Sequence, residues 1–249
     1  MKAVILAAGT GSRLAPLSGD RPKPLVAVGG RTLLDRTIAR LGDVGIAGED
    51  VIVVAGYRED VLRRALRASH RDVTVVSNPR FADWNNFWSL RVAEDAVAGD
   101  AFLQIDGDLL FDEHVLPRVL VARGPGALAV SGGPHVDAEA MKVMTGSADG
   151  RIVSISKALD PALCLGESIG LARIDPPLGG RVFVELATLA EEGRTGEYYE
   201  AAYERLARRG EGPFLPVEVS DCMAMEIDDL GDLDRAEATL AASLTRTLI

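Results

Sequence analysis

Cysteine and histidine are scarce in this chain of 249 residues. Cys164 and Cys222 are the only cysteines, and they lie too far apart for the short ligand spacing of a metal site. We expect both to be reduced, buried small residues. His70, His114 and His135 are scattered along the sequence, so surface or loop positions are expected and no catalytic histidine is indicated.

Positive charge is also in short supply. The 27 Lys and Arg residues are outnumbered by 37 Asp and Glu residues, which gives a net charge of −10 and a pI near 4.9. An acidic surface repels polyanions, so nucleic acid is not an expected partner. Any bound phosphate must be met by a few local cations and by backbone N–H groups.

Long apolar runs are missing too. No segment reaches the roughly 18 apolar residues of a membrane span. The first apolar run, residues 3–8, is short and is followed at once by a glycine-rich loop, unlike a signal peptide. We therefore expect no membrane partner and a cytoplasmic location.

Short apolar runs alternate with amphipathic stretches in the first half of the chain. Strands are predicted at 4–7, 51–55, 73–77 and 101–105, and helices at 32–41, 59–68 and 88–96. This alternation predicts a parallel, doubly wound α/β sheet with right-handed crossovers. Ligands of such sheets bind beyond the carboxyl ends of the strands, where Asp106 and Asp108 follow the fourth strand.

The second half has a different pattern. Strands are predicted at 127–131, 140–144, 151–156 and 168–174 without full helices between them, which indicates an antiparallel extension. Helices are predicted at 181–192, 198–209 and 233–244. The expected fold is therefore α/β, with a mixed, mainly parallel sheet, a small antiparallel extension and C-terminal helices.

Residues 6–25, LAAGTGSRLAPLSGDRPKPL, form the most specific pattern. A strand that runs into Gly9-Thr10-Gly11 exposes backbone N–H groups to which phosphate oxygens can come close. Arg13 offers a forked guanidinium, and Lys23 is fixed between two prolines. A backbone cradle with two kinds of cation suits a triphosphate.

Other glycine loops fit the pattern poorly. A dinucleotide-binding loop requires a third glycine where Leu14 stands, and a Walker loop would close with Gly-Lys-Ser/Thr. A merely structural turn would explain neither Arg13 nor the Pro-Lys-Pro segment.

This loop resembles the signature of a known superfamily. The residues concerned are Leu6-x-x-Gly9-x-Gly11-x-Arg13-Leu14-x-Pro16-Leu17 followed by Pro22-Lys23-Pro24-Leu25. They are similar to nucleotidyltransferases that join a nucleoside triphosphate to a sugar phosphate or phospho-alcohol. The resemblance continues in order through 53–57, 78–90, 106–108 and 226–228. Within the superfamily, residues 81–90 are most similar to small cytidylyltransferases acting on phosphocholine, related phosphorylated alcohols or phosphonates.

The resemblance implies a Rossmann-like mononucleotide fold, with residues 1–249 forming one nucleotidyltransferase domain. Residues 1–125 would form its nucleotide-binding half, and residues 126–249 the acceptor-binding and C-terminal half. The implied catalytic residues are Arg13, Lys23 and Asp108, with Arg13 at the β/γ-phosphates and Lys23 at the α-phosphate. The nucleotide-binding candidates are Leu6, Ala7, Ala8, Gly9, Thr10, Gly11, Ser12, Arg13, Lys23, Asn85, Asn86, Ser89 and Asp106. Among them, Asn85, Asn86 and Ser89 are expected to read the base or ribose, because short amides and hydroxyls offer both donors and acceptors.

A divalent cation is implied as well. Asp108 and Asp228 match the superfamily's metal-binding aspartates, and Mg²⁺ favours such sparse carboxylate ligation. Asp106 faces the same side as Asp108 on an extended backbone, so either direct ligation or support of the ligand is open to it. The reaction would be attack of an acceptor phosphate oxygen on the α-phosphorus of the nucleotide, with release of pyrophosphate. No general base is needed, because the second phosphate pKa is about 6.

Candidate acceptor residues are Trp84, Lys142, Lys157, Glu167 and Tyr198. Lys157 matches a position that places a cation against the acceptor phosphate, and Lys142 is a second candidate, although a lone lysine is usually a solvated charge. Glu167 lies in a segment that resembles part of an acceptor pocket. Trp84 and Tyr198 are candidates for a cage around a quaternary ammonium, or Trp84 merely shapes its loop.

The expected partners are a nucleoside triphosphate, with CTP favoured, and a small phosphorylated acceptor, bound by a monomer or homodimer. Three alternatives stay open. One is a sugar-1-phosphate enzyme using UTP, GTP or dTTP. Another is a non-catalytic nucleotide-sensing domain. The third is a glycosyltransferase using Asp106-Gly107-Asp108.

Overall fold

The computed structural model describes residues 1–11, 21–132 and 139–247, with the side chains of the last helix described as far as residue 242. The strands are β1 Lys2–Ala7, β2 Ala27–Val28, β3 Arg31–Thr32, β4 Val51–Ala55, β5 Thr74–Ser77, β6 Phe102–Asp106, β7 Leu109–Phe111, β8 Gly126–Ser131, β9 Lys142–Thr145, β10 Ile152–Ser156, β11 Gly166–Ile174, β12 Phe214–Glu218 and β13 Ala224–Glu226. The α-helices are α1 Leu33–Asp43, α2 Glu59–Ser69, α3 Asn86–Arg91, α4 Glu94–Val97, α5 Val115–Val121, α6 Pro176–Glu191, α7 Glu200–Arg209 and α8 Leu230–Thr247. Short 3₁₀ turns lie at Lys23–Leu25, Gly48–Asp50 and Pro161–Leu163.

The centre of the main sheet is parallel. Strands β5, β4, β1 and β6 are neighbours in that order, and every pairing among them is parallel. Side chains alternate across a strand, so Val4 and Leu6 enter one buried cluster while Ala3 and Ile5 enter the other. Helices α1, α2 and α5 cover one face, and α3, α4, α6 and α7 cover the opposite face. The predicted doubly wound sheet is confirmed.

The antiparallel extension is also confirmed. Strand β11 runs antiparallel to β6 along one edge and to β8 along the other, β9 pairs with the start of β11, and β10 pairs with β9. Strand β12 then pairs with β8 in parallel, a pairing that the sequence did not predict. Its pattern is obscured by Pro216, a residue that sheets accept at their edges.

Some predicted boundaries are wrong. The single helix expected at 88–96 is two short helices, α3 and α4, because Val92 and Ala93 interrupt the regular turns. Helix α6 begins at Pro176, five residues before the predicted start, since proline is accepted in the first turn of a helix. The short helix α5 of seven residues and the ribbons of two- and three-residue strands were not predicted, because such short segments carry too little periodicity.

One ribbon joins the two halves of the chain close to the carboxyl ends of the central strands. Strand β7 begins just after Asp108 and pairs antiparallel with β13, which ends just before Asp228. Helix α8 follows at once and buries Ala236 with Val28 in a third apolar cluster. This packing holds the two aspartates near each other. Among the described helices, none is both long and apolar enough to cross a bilayer.

Candidate functional site

A cleft opens at the carboxyl ends of β1 and β6, where the sheet pattern predicted a ligand. Its lining residues are Leu6, Ala7, Ala8, Gly9, Lys23, Pro24, Asn86, Ser89, Asp106, Gly107 and Asp108. A Cβ atom at Gly107 would lie 2.6 Å from the carbonyl oxygen of Leu6, so only glycine permits this close approach of the two strand ends. The cleft floor is therefore built largely of backbone, with a few charged side chains.

Lys23 lies between two aspartates on the cleft floor. Its Nζ is 2.5 Å from Oδ2 of Asp108 and 2.5 Å from Oδ1 of Asp228. The lysine side chain is 11% exposed, against 25% and 31% for the two aspartates. Burial lowers the pKa of Lys23, but the charges and hydrogen bonds of both aspartates outweigh burial, and its pKa is raised. The ammonium is thus firmly charged.

Local backbone bonds hold these three residues in place. The N–H of Ile227 donates to the carbonyl of Asp108 at 3.0 Å, which fixes the two aspartate segments side by side. Asp232, in the first turn of α8, accepts from the N–H of Asp228 at 2.8 Å. The 3₁₀ turn of Lys23 closes with an N–H···O bond of 2.9 Å from Val26 to Lys23.

Further carboxylates crowd the same place. Oxygen atoms of Asp106, Asp108 and Glu226 lie within 4.8 Å of one another. Burial, followed by the charge of Asp108, raises the pKa of Asp106 well above its ordinary value. The pKa of Glu226 is raised to about 8, by desolvation first and then by Asp108 and Asp228, although the residue as a whole is exposed. Clustered oxygen donors of one charge fit a hard divalent cation.

A buried polar layer supports Asp106 from behind. The hydroxyl of Tyr199 donates to Oδ2 of Asp106 at 3.0 Å, and Nε2 of Gln104 donates to Oδ1 at 3.0 Å. Glu200 is next to Tyr199 and is 5% exposed, and burial raises its pKa to about 7. The sequence predictions missed these residues and Glu226. Gln104 was detectable as the one polar residue inside a buried strand, two positions before Asp106.

The nucleotide-binding candidates are only partly brought together. Leu6, Ala7, Ala8, Gly9, Lys23, Asn86, Ser89 and Asp106 line the cleft, whereas Ser12 and Arg13 lie outside the described residues. Thr10 and Gly11 continue the loop from Gly9, and Gly11 has a left-handed φ of 58°. Asn85 is not among the lining residues. Its side chain caps α3 and donates to the carbonyl of Gly196 at 3.0 Å, so both ends of the amide already have local partners.

Two acceptor candidates form a pair. Nζ of Lys157 is 3.4 Å from the hydroxyl of Tyr198 and 4.7 Å from the centre of its ring. A carboxylate oxygen of Glu139 lies 3.6 Å from the same Nζ. Both Lys157 and Tyr198 are partly exposed, so a ligand can reach them.

The other acceptor candidates have structural contacts. Lys142 is 1% exposed and donates to the carbonyls of Ala140 and Lys157 at 3.1 and 2.7 Å, because a buried ammonium needs acceptors. Glu167 lies opposite Lys142 in the register of β11 and β9. The Trp84 ring stacks on Phe87 at 5.8 Å, packs against Trp88 at 4.7 Å and has the Arg80 guanidinium over it at 5.3 Å. Trp84 therefore belongs to an aromatic cluster that already has a cation.

Comparisons with known proteins agree with the predicted resemblance. The family model described as the MobA-like NTP transferase domain matches residues 3–163. The CMP-5'-(3-aminopropyl)phosphonate synthase of Streptomyces rubellomurinus is 32% identical over 246 residues, which cover 95% of this chain and 38% of that protein. The 2-aminoethylphosphonate cytidylyltransferase of Lancefieldella rimae is 35% identical over 118 residues, 47% of each chain. The matches thus span less than half the length of either curated relative.

The fold has a solved counterpart. The CTP:phosphocholine cytidylyltransferase from Streptococcus pneumoniae superposes with a TM-score of 0.72 at 22% identity, over 96% of this chain and 98% of that one. At this identity the similarity concerns the fold alone, and it confirms the predicted Rossmann-like architecture.

Proposed function

The chain belongs to the family of MobA-like NTP transferase domains, and from this premise we propose that it transfers a nucleotidyl group from a nucleoside triphosphate, most favourably CTP, to a small phosphorylated or phosphonate acceptor. Pyrophosphate is the second product. Residues 1–125 bind the nucleotide in this proposal, and residues 126–249 contribute the acceptor side of the same domain. The cytoplasmic location and the monomer or homodimer state stay predictions.

The observation that carries the proposal is the meeting of Lys23, Asp108 and Asp228 on the cleft floor. Three segments that are distant in sequence bring the Lys23 ammonium to 2.5 Å from an oxygen of each aspartate, beside the backbone loop that begins at Gly9. A non-catalytic sensing domain has no need for both a phosphate-binding lysine and two metal-type carboxylates. A nucleotidyl transfer reaction needs all three, since its transition state gathers charge on phosphate oxygens.

In the proposed reaction each residue has a role that follows from its position in the cleft. Backbone N–H groups of the loop at Gly9 bind the phosphates, and the Lys23 ammonium donates to the α-phosphate oxygens as charge develops there. Arg13, proposed on its resemblance alone, neutralises the leaving pyrophosphate. Asp108 and Asp228, with Asp106 and Glu226 adjacent, would hold Mg²⁺, which would supply charge neutralisation and orientation of the phosphates. The acceptor phosphate is already an anion at neutral pH, so no residue has to act as a general base.

The acceptor proposed for this chain carries both a phosphate or phosphonate and an amino group. Lys157 is the cation for the anionic end, because its ammonium is partly exposed beside Tyr198. Aminopropylphosphonate, aminoethylphosphonate and phosphocholine all have this pair of charges, and they occur in the names of the related proteins.

The direct test is a pyrophosphate-release assay with the full chain and Mg²⁺. CTP, UTP, GTP and dTTP are each combined with phosphocholine, 2-aminoethylphosphonate, 3-aminopropylphosphonate, glucose 1-phosphate or no acceptor. We expect release with CTP and one of the amino-bearing acceptors. Turnover of glucose 1-phosphate with UTP or dTTP would instead support a sugar nucleotidyltransferase. Nucleotide binding without release in any combination would support a sensing domain.

Single substitutions test the assigned residues. Lys23→Ala and Asp108→Ala should each lower kcat by about 100-fold or more, because each removes a preorganised contact to the phosphates or metal. The matched control is Lys2→Ala, which also removes one positive charge. Lys2 pairs with Asp50 at the opposite end of β1 and should leave kcat unchanged. Normal turnover in either cleft variant would contradict the mechanism, provided that circular dichroism shows a folded protein.

A further inference from the structure

We propose that Lys23 is an internal cation that occupies the metal position between Asp108 and Asp228 until a bound nucleotide draws it away. The inference rests on the proposed function only in naming the nucleotide as the displacing ligand. Its consequence is that a divalent ion alone binds this cleft weakly, whereas metal and nucleotide bind together with positive cooperativity.

The contact geometry leaves no room for two cations. Nζ of Lys23 is 2.5 Å from one oxygen of each aspartate. A bridging Mg²⁺ would sit about 2.1 Å from the same kind of oxygen, so its position nearly coincides with that of the ammonium. Two positive charges at such a separation repel strongly in a partly buried site. Lys23 must therefore leave the two carboxylates before a metal can bridge them.

The backbone of Lys23 cannot make this movement. Pro22 and Pro24 are both buried, and the 3₁₀ turn is closed by hydrogen bonds from Leu25 to Pro22 and from Val26 to Lys23, each of 2.9 Å. Proline also fixes the backbone φ angle on both sides of the lysine. Only rotation about the four-carbon side chain can carry the ammonium from the aspartates toward a phosphate.

The lysine side chain touches the loop that we assign to the nucleotide. A Cβ atom at Gly11 would lie 2.9 Å from Cβ of Lys23 and 3.4 Å from its Cγ. The lysine stem therefore packs directly against the backbone that approaches the phosphates. An α-phosphate bound by this loop offers the ammonium a new anionic partner at short range, which frees Asp108 and Asp228 for the metal.

The remaining charges explain why a metal still enters. Among the described residues, Lys23 contributes one positive charge to this space, while Asp106, Asp108, Glu226 and Asp228 contribute four carboxyl groups. Lys23 thus weakens metal binding without abolishing it, and its departure restores the full carboxylate charge.

The test measures Mn²⁺ binding to the full chain by the electron paramagnetic resonance signal of free Mn²⁺, without any turnover. We expect Lys23→Gln and Lys23→Met to bind Mn²⁺ about tenfold more tightly than wild type, within the usual range of coupling between sites. A nonhydrolysable CTP analogue should tighten Mn²⁺ binding to wild type by a similar factor. The same analogue should tighten binding to Lys23→Gln much less, because the competing ammonium is already gone.

Two controls separate displacement from a general charge effect. Lys2→Gln makes the same change in net charge far from the cleft and should bind Mn²⁺ as wild type does. Asp228→Asn should weaken Mn²⁺ binding strongly in the Lys23→Gln background but only slightly in wild type, since the nucleotide-free wild type uses Asp228 for Lys23. Equal Mn²⁺ affinities of wild type and both Lys23 variants would overturn the proposal, as would a Lys23→Gln gain that survives in full with Asp228→Asn.

These outcomes are independent of the acceptor assay. If no acceptor yields pyrophosphate, the Mn²⁺ affinities still decide whether Lys23 blocks the metal position. If transfer activity is found but Mn²⁺ binds wild type and Lys23→Gln equally, the proposed function stands and the displacement by Lys23 does not.

Discussion

The stability of the Glu200→Gln variant relative to wild type should increase as the pH rises from 5 to 8. Glu200 is 5% exposed, and one of its carboxylate oxygens has no hydrogen-bond partner within the described residues. A charged carboxylate is poorly solvated in such a place, so burial raises its pKa to about 7. Glutamine has the same shape and carries no charge at any pH.

The sign follows from proton linkage. Between the ordinary carboxyl pKa of 4.5 and the folded value of about 7, the folded state of wild type keeps the Glu200 proton while the unfolded state releases it. The contribution of Glu200 to the free energy of unfolding of wild type therefore falls as pH rises through this window. A pKa shift of this size corresponds to a loss of about 3 kcal/mol in the free energy of unfolding of wild type. The full loss is reached above pH 7.

Urea unfolding of both proteins from pH 5 to pH 8 measures the effect. The difference in unfolding free energy between Glu200→Gln and wild type should grow by about 2–3 kcal/mol over this range, whatever its value at pH 5. Glu192→Gln is the matched control, because Glu192 is exposed, pairs with Arg205, and has a lowered pKa. That variant should show no gain at high pH. If the free energy of unfolding changed with pH in the same way for wild type and Glu200→Gln, the reasoning would be refuted.

Two further predictions concern the residues behind the cleft. Gly170→Ala should lower stability by about 2 kcal/mol or more, because Gly170 has a left-handed φ of 72° and a Cβ atom there would lie 2.6 Å from Oδ2 of Asp106. Gly150→Ala, with φ of 68° and open space around it, is the control measured by the same thermal melts, and an equal loss would exclude the contact with Asp106. Tyr203→Phe should be neutral or stabilising by up to about 1 kcal/mol in urea unfolding, because its buried hydroxyl has no partner within the described residues. Tyr199→Phe, which loses the bond to Asp106, should be destabilised, and the reverse order would contradict this assignment.

Local patterns along the chain were sufficient for the parallel centre of the sheet. Runs such as Val51–Ala55 are apolar at every position, which a strand covered on both faces requires, and the structure has β4 at these residues. The glycine loop that begins at Gly9 could also be recognised in the sequence, since glycines and the Pro-Lys-Pro segment impose backbone conformations on their own. Aspartates after the fourth strand could be placed at the ligand-binding edge, because the carboxyl ends of parallel strands meet there.

Such sequence patterns do not predict which groups a side chain contacts in the folded protein. Asn85 looked like a base-reading amide, yet it caps α3 and bonds to Gly196, a choice that depends on a turn more than one hundred residues away. Lys142 was a second candidate for the acceptor phosphate, but the register of β9 buries it among carbonyl oxygens. Single polar residues have several possible partners in sequence, and packing selects one of them.

The metal role of Asp108 and Asp228 came from the family resemblance and stays a prediction. The glycine loop that begins at Gly9 and the place of Asp108 at the sheet edge were readable from residue types and spacing alone, because backbone conformation and strand ends follow local rules. The contact of Lys23 with both Asp108 and Asp228 was not, since segments 85 and 205 residues away from the lysine meet only through the pairing of β7 with β13 and the packing of α8. Electrostatic energies depend on distance in space. The chemistry of Lys23, whether it binds a phosphate or holds a metal position, is therefore a property of the folded chain.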